Sequence, residues 1–319
     1  MTMVRFRCAK FLRYKLFPYF CHKLIINDMK HFFLTLMTCL LIMIPTEVLS
    51  RSSKTPVADL STEKFTIGKG KPFFFIQMTD PQLGFNKEFD VSKDTPYLEH
   101  AIKIINRLKP AFVVCTGDFV HQMKNDQKTQ LYKAYLKLID PKIPVYNVAG
   151  NHDINKLTPD FFEFYKKYYG ADRFSFRHKN CAFIAINSTI IQEGESAMEA
   201  EQYAWLEKEL KKASKCRMRV ILSHISLVYK EMNEDEDYSN FPKPMRKKYM
   251  DLFKKYNVQI MMCGHLHKNA YVKSDGIEIL TTNALGFPFV GEHGMTLMNI
   301  GKDFYQHRFY SLDEFDQMK

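Results

Sequence analysis

Apolar residues fall along the chain in two recurring forms. Short unbroken runs at Phe73 to Met78, Ala111 to Cys115, Pro144 to Ala149, Val220 to Leu222 and Val258 to Cys263 read as buried strands. A parallel sheet covered by helices on its faces loses the in–out alternation of a half-exposed strand. Between these runs the spacing turns helical. Thr95 to Leu108 places Leu98, Ala101, Ile102, Ile105 and Leu108 on one stripe and stops before Pro110. Helices are also predicted over Gln127 to Ile139, Phe161 to Tyr169, Glu199 to Ala213 and Met245 to Tyr256. Arg173 to His178 and Cys181 to Ser188 read as a hairpin about Lys179-Asn180. The last part turns to strands: Ala270 to Lys273, Ile277 to Thr282, Met295 to Ile300 and Phe304 to Tyr310. This alternation predicts an α/β fold, a layered sandwich of two mixed β-sheets flanked by helices.

Chemistry gathers where the apolar runs end. The five segments there are Thr79-Asp80-Pro81-Gln82, Gly117-Asp118, Gly150-Asn151-His152-Asp153, Ser223-His224 and Gly264-His265-Leu266-His267. Ligands of open α/β sheets bind beyond the carboxyl ends of the strands. A lone His or Asp in such a loop is more often a cap or turn residue, and five coincident loops reverse that weighting. Two divalent cations about 3.5–4 Å apart clamp the attacking and leaving oxygens of a phosphoryl displacement. Carboxylate, amide and imidazole donors together suit Mn, Fe or Zn better than an all-oxygen cage. Glycines before Asp118, Asn151 and His265 permit tight turns and close backbone approach.

With these segments the chain resembles the calcineurin-like metallophosphoesterase superfamily over roughly Lys71 to Tyr310. The resemblance implies that Asp80 and His267 hold a first metal and that Asp118 bridges both. It implies that Asn151, His224 and His265 hold the second. His152 would assist the leaving oxygen and Asp153 would orient His152. The family places a His where Gln82 stands. The Asp-Pro-Gln version resembles a subgroup of serine/threonine phosphatases. Gln82 is then a weak ligand of the first metal, or His121 completes that site. In the similar purple acid phosphatases, that same offset from the bridging Asp carries a tyrosine ligand. The preferred reading of His121 is that it contacts the substrate or supports a ligand from behind.

Charge and composition narrow the partners. The net charge is +11, but the first 50 residues carry seven Lys/Arg against two acids, and the remainder is only modestly basic. That surplus favours a phosphorylated substrate and forms no nucleic-acid stripe. From Met29, Met-Lys-His leads into the 13-residue apolar stretch Phe32 to Ile44 and then small residues to Ser50. This reads as a secretory signal peptide cut before Arg51, within a leader over 1–50 whose true start is Met29. It implies an exported protein, secreted or periplasmic, with no membrane partner after cleavage; the alternative is a membrane anchor at 32–44. Residues 51–70 read as a polar linker, and 71–319 as the metallophosphoesterase domain. Cys115 and Cys263 read as small buried thiols.

Two loops remain. Glu231 to Asp237 holds five acids in seven residues, a solvated run that disfavours polyanions where it borders the cleft. Gly286-Phe287-Pro288-Phe289-Val290-Gly291 reads as a packing loop. The function implied is dinuclear hydrolysis of a phosphate ester by a metal-bound hydroxide, most naturally by a phosphomonoesterase or protein phosphatase. The alternatives are a phosphodiesterase acting on a nucleotide or lipid headgroup, and a metal-binding relative with little turnover.

Overall fold

A computed structural model describes residues 63–64 and 70–318. The leader and most of the 51–70 segment lie outside the described residues. In chain order the strands are β1 (Glu63–Lys64), β2 (Phe73–Met78), β3 (Val113–Cys115), β4 (Val145–Asn147), β5 (Phe174–His178), β6 (Cys181–Ala185), β7 (Met218–Leu222), β8 (Ile260–Cys263), β9 (Ala270–Ser274), β10 (Ile277–Thr281), β11 (Gly294–Ile300) and β12 (Phe304–Ser311). The helices are α1 (Thr95–Leu108), α2 (Asp126–Leu136), α3 (Pro159–Tyr169), α4 (Ser188–Gln192), α5 (Ala197–Lys212), α6 (Lys243–Lys255) and α7 (Leu312–Asp316). None of them is long and apolar enough to cross a membrane.

The strands form two six-stranded sheets, ordered β1-β12-β11-β2-β3-β4 and β5-β6-β7-β8-β10-β9. In the first, β2, β3 and β4 run parallel and β11 lies antiparallel to β2. In the second, β6, β7, β8 and β10 run parallel, with antiparallel β5 and β9 at its edges. Both sheets are therefore mixed, as the pattern predicts. The motif-bearing strands of each sheet end toward the same loops, so residues far apart in sequence converge there.

Between the sheets lies an apolar layer that includes Phe75, Phe112, Phe183, Val220, Met262 and Met298. Phe75 stacks on Phe112 at 4.7 Å and meets Phe183 edge-on at 5.3 Å, geometries that aromatic quadrupoles favour. α1, α2 and α3 cover the outer face of the first sheet, and α5 and α6 that of the second. The predicted stripe of α1 supplies buried Leu98, Ala101, Ile102 and Ile105. Lys109 closes that helix in the left-handed conformation, immediately before Pro110.

Two expectations need correction. The run Pro144 to Ala149 is not a buried strand throughout. β4 is three residues long and half-buried because it forms the edge of its sheet. The strand read over Cys181 to Ser188 ends at Ala185, since Asn187 caps α4 by accepting from the Thr189 amide at 3.1 Å. Cys115, Cys181, Cys216 and Cys263 are buried and unpaired.

One buried polar side chain joins the two sheets beneath the convergent loops. Gln77 on β2 donates to Thr116 Oγ1 and to the Cys263 carbonyl, both at 2.9 Å, and accepts from Thr282 Oγ1 at 2.8 Å. Replacing it with Leu removes three bonds and leaves Thr116 Oγ1 without that partner, while the Cys263 carbonyl keeps the Thr282 amide and Thr282 Oγ1 keeps Thr296. Gln77→Leu should lower stability by about 2–4 kcal/mol in denaturant unfolding. A loss below about 0.5 kcal/mol, the level of a neutral surface change, would show that the sheets do not depend on it.

Candidate active site

The five motif loops meet at one end of the sandwich, and backbone bonds hold them side by side. Past the ends of β2 and β3, the amides of Asp80, Gln82 and Leu83 donate to the carbonyls of Gly117, Asp118 and Phe119 at 3.1, 2.9 and 3.2 Å. Two loops thus continue as a paired ladder and set Asp80 and Gln82 against Asp118. From the second sheet, the His265 amide donates to Asp80 Oδ2 at 3.0 Å. Close approach requires the glycines. A Cβ on Gly150 would lie 2.2 Å from Asp118 Oδ1, and one on Gly264 would lie 1.9 Å from Thr79 Oγ1.

Five proposed ligands sit in left-handed backbone: Asp80 (φ 48°), Gln82 (φ 37°), Asp118 (φ 53°), His265 (φ 71°) and His267 (φ 49°). Each such residue costs on the order of 1–3 kcal/mol and persists only where its surroundings over-determine it. Such strain concentrates at functional sites.

Asp118, His224 and His265 offer ligand atoms within 4.8 Å of one another, all buried. His224 Nε2 lies 2.9 Å from Asn151 Oδ1, 3.3 Å from Asp118 Oδ2 and 3.2 Å from His265 Nδ1. Beside this group, His267 Nε2 stands 3.5 Å from Asp80 Oδ1, and Gln82 Nε2 stands 3.5 Å from Asp118 Oδ2. Asp80 Oδ1 and Gln82 Oε1 are buried without a hydrogen-bond partner. Orphaned buried oxygens are costly, and a cation is the group that two such acceptors beside imidazole nitrogens fit.

Each imidazole is fixed by a backbone carbonyl. A carbonyl only accepts, so the ring nitrogen facing it carries the proton. His224 Nδ1 donates to Thr116 O at 2.7 Å, His265 Nε2 to Tyr238 O at 3.0 Å, and His267 Nδ1 to Phe287 O. The opposite nitrogen of each ring faces the donor set, the arrangement that orients histidine ligands in metal sites. His152 Nδ1 likewise donates to His121 O at 2.7 Å, and the His152 amide donates to Asp118 Oδ1 at 2.8 Å.

Charges within the site shift one another. Burial pulls His224 down, but the carboxylates of Asp118 and Asp80 outweigh it and raise its pKa to about 10. Burial, then the positive charge of His224, lowers His265 to about 4. Burial pushes the Asp80 carboxyl up, and His224 and His267 bring it below its usual range.

The role expected of Asp153 is not the one it has. Its carboxylate accepts from the amides of Asp118, Phe119 and Gly150 at 2.8, 3.2 and 2.8 Å, and it pins the Asp118 loop rather than His152. Three amides converging on one carboxyl group fix it in this place. The surface loops match their simple readings in part, and Glu231, Asp235, Glu236 and Asp237 are exposed as a solvated run requires. In the acidic run, Glu234 is buried and accepts from the Tyr229 and Lys230 amides at 3.0 and 2.7 Å. In the aromatic loop, Phe287, Phe289 and Val290 are exposed, and Phe289 stacks on His267 at 4.5 Å. Tyr238, which no motif marked, reaches Asn151 through its hydroxyl and His265 through its carbonyl. Its sole sequence signal is a position seven residues beyond the start of the acid run.

A two-sheet sandwich with carboxylate, amide and imidazole donors at its convergent strand ends defines a metal-dependent hydrolase of phosphate esters. The chain belongs to the calcineurin-like phosphoesterase family, whose model matches residues 75–269. It is 32% identical over 279 residues to the serine/threonine-protein phosphatase CPPED1 of Bos taurus, covering 81% of this chain and 89% of that one. Its fold is that of a dimetal phosphatase from Danio rerio, with a TM-score of 0.57 at 14% identity over 75% of this chain and 96% of that one. The purple acid phosphatase PPD1 of yellow lupin shares it too, with a TM-score of 0.58 at 14% identity over 78% of this chain and 53% of that one.

Gln82 and His121 separate by surroundings. Each has a buried atom without a hydrogen-bond partner, Oε1 of Gln82 and Nδ1 of His121, but Gln82 is buried 3.5 Å from Asp118 Oδ2, whereas His121 is half-buried, its ring 4.7 Å from Phe85, 5.8 Å from Phe89 and 4.8 Å from His152. Metal titration into apo protein should therefore show weakened first-site binding in Gln82→Ala and near-wild-type binding in His121→Ala. The reverse pattern would assign the ligand to His121.

Proposed function

We propose that the protein is a dinuclear phosphomonoesterase acting on phosphorylated proteins. The observation that carries the metal site is the pair of unpartnered oxygens, Asp80 Oδ1 and Gln82 Oε1, beside the cluster of Asp118, Asn151, His224 and His265. Asp80, Gln82 and His267 would hold one ion, Asn151, His224 and His265 the other, with Asp118 between them. The mixed donors suit Mn, Fe or Zn. When bound, such ions neutralise phosphoryl oxygens and make water a nucleophile near neutral pH.

The chain's own residues do the rest. His152, held through Nδ1 by the His121 carbonyl and through its amide by Asp118, gives up a proton from Nε2 to the departing oxygen. The alcohol leaves protonated, and inorganic phosphate remains. His121, among Phe85, Phe89 and His152, contacts the substrate. The protein-substrate reading is supported by the name of the Bos taurus relative. It is also supported by the aromatic side chains Phe287 and Phe289 above His267, with exposed acids Asp235, Glu236 and Asp237 on the loop above His265. Aromatic and acidic walls suit a peptide chain better than a polyanion.

The deciding assay compares 4-nitrophenyl phosphate with its bis ester, with and without Mn, on the purified protein. Metal-dependent turnover favouring the monoester is expected; preference for the bis ester would overturn the monoesterase reading. His152→Ala should slow a poor leaving group such as a phosphoserine peptide by about 10²–10⁴ and keep its metals. Metal loss in that variant would make His152 a ligand.

We also propose export, on the strength of the basic-then-apolar segment from Met29 to Ser50. N-terminal sequencing of the natively expressed protein should find a start near Arg51. A soluble protein retaining Phe32 to Ile44 would contradict this.

A further inference from the structure

Tyr238 is 63% exposed, yet both its hydroxyl and its carbonyl reach the donor set. A tyrosine this exposed ordinarily gives its hydroxyl to water. Here Asn151 Nδ2 donates to the phenol oxygen at 2.5 Å, while Asn151 Oδ1 faces inward toward His224 Nε2 at 2.9 Å. Accepting that bond occupies a lone pair and leaves the phenolic proton uncommitted. The ring itself lies 4.7 Å from that of His265.

The loop that presents Tyr238 is tied on both sides. Glu234 accepts from the amides of Tyr229, Lys230 and Glu231 at 3.0, 2.7 and 3.2 Å, and from Asn240 Nδ2 at 2.7 Å. The Asp237 amide donates to Asn240 Oδ1 at 3.0 Å, and the Ser239 amide to Asp237 Oδ1 at 2.7 Å. Buried Arg246 donates to the carbonyls of Phe241 and Asp235 at 2.7 and 3.1 Å. A side chain held this firmly over a site, with an unused donor, is pre-organised for an incoming acceptor.

We propose that the Tyr238 hydroxyl donates a hydrogen bond to a phosphoryl oxygen of the ester bound beside Asn151, as a substrate-binding residue of the site. This rests on the phosphoesterase reading above. Asn151 then serves both sides, offering Oδ1 inward and holding the phenol oxygen through Nδ2, so that the O–H points at the substrate. The acceptor is the phosphoryl group itself, so the contact serves monoester and diester alike.

Tyr238→Phe tests this, because it keeps the ring beside His265 and removes only the hydroxyl. Catalytic efficiency, kcat/KM, should fall about 10- to 100-fold, the worth of a hydrogen bond to a charged group. Inorganic phosphate, titrated calorimetrically into the metal-loaded protein, should bind more weakly by a similar factor, with metal content per chain unchanged. Unaltered kcat/KM and phosphate affinity would overturn the proposal. So would loss of metal, because the hydroxyl would then serve only to orient Asn151. A wild-type protein that turns over the diester alone would sink the monoesterase reading yet leave this comparison intact, run on that diester. Phosphate affinity reports on Tyr238 even where neither ester is turned over.

Discussion

Gln77 reaches from the first sheet to the carbonyl of Cys263 and the hydroxyl of Thr282 on the second, at the level where both sheets give way to the motif loops. The site depends on that span. Asp80 and Asp118 leave one sheet, His224 and His265 leave the other, and their donor atoms come within about 3 Å only if the sheets keep their separation and register. The aromatic layer below supplies the attraction, but apolar contact is non-directional. A buried amide with three satisfied partners has one geometry, and that converts a packed interface into a defined one. Further from the site, Glu278 repeats the arrangement by accepting from Tyr305 Oη at 2.9 Å and meeting His307 Nε2 at 2.6 Å.

The loops above that layer are organised largely by main-chain groups. Carbonyls of Thr116, Tyr238, Phe287 and His121 select the nitrogen that each of four imidazoles turns inward. Amides of Asp118, Phe119 and Gly150 converge on Asp153. Left-handed conformations at five proposed ligands aim side chains that regular strand ends would direct elsewhere. Glycines 117, 150 and 264 leave room for these groups to meet. Strain, close approach and unpaired acceptors coincide at this end of the molecule, the concentration expected where structure serves chemistry.

Much of this was legible in the sequence because it depends on patterns local to the chain. Unbroken apolar runs gave β2 and β8, and the stripe ending before Pro110 gave α1 over Thr95 to Leu108. The Gly-Asp, Gly-Asn-His-Asp and Gly-His-x-His segments were legible because each needs only a strand end and a turn. What was not legible depends on partners remote in sequence. The half-buried state of β4 follows from its place at the sheet edge, which no run of six residues encodes. Asp153 stands next to His152, and adjacency suggested the wrong partner for its carboxylate. Phe289 and Tyr238 sit in loops whose composition matches ordinary packing or solvation. Only the fold brings one ring over His267 and the other over His265.

Tyr238 and Phe287 each give a carbonyl to a proposed metal ligand while their own partly exposed side chains stand at the entrance to the site. The mouth of the site and the tautomers of its histidines therefore belong to the same stretches of backbone. In each, one residue carries both the carbonyl that fixes a ligand's ring and a side chain at the entrance. A change that displaces either stretch of backbone alters the aim of an imidazole and the shape of the entrance together. Neither can be altered there without the other.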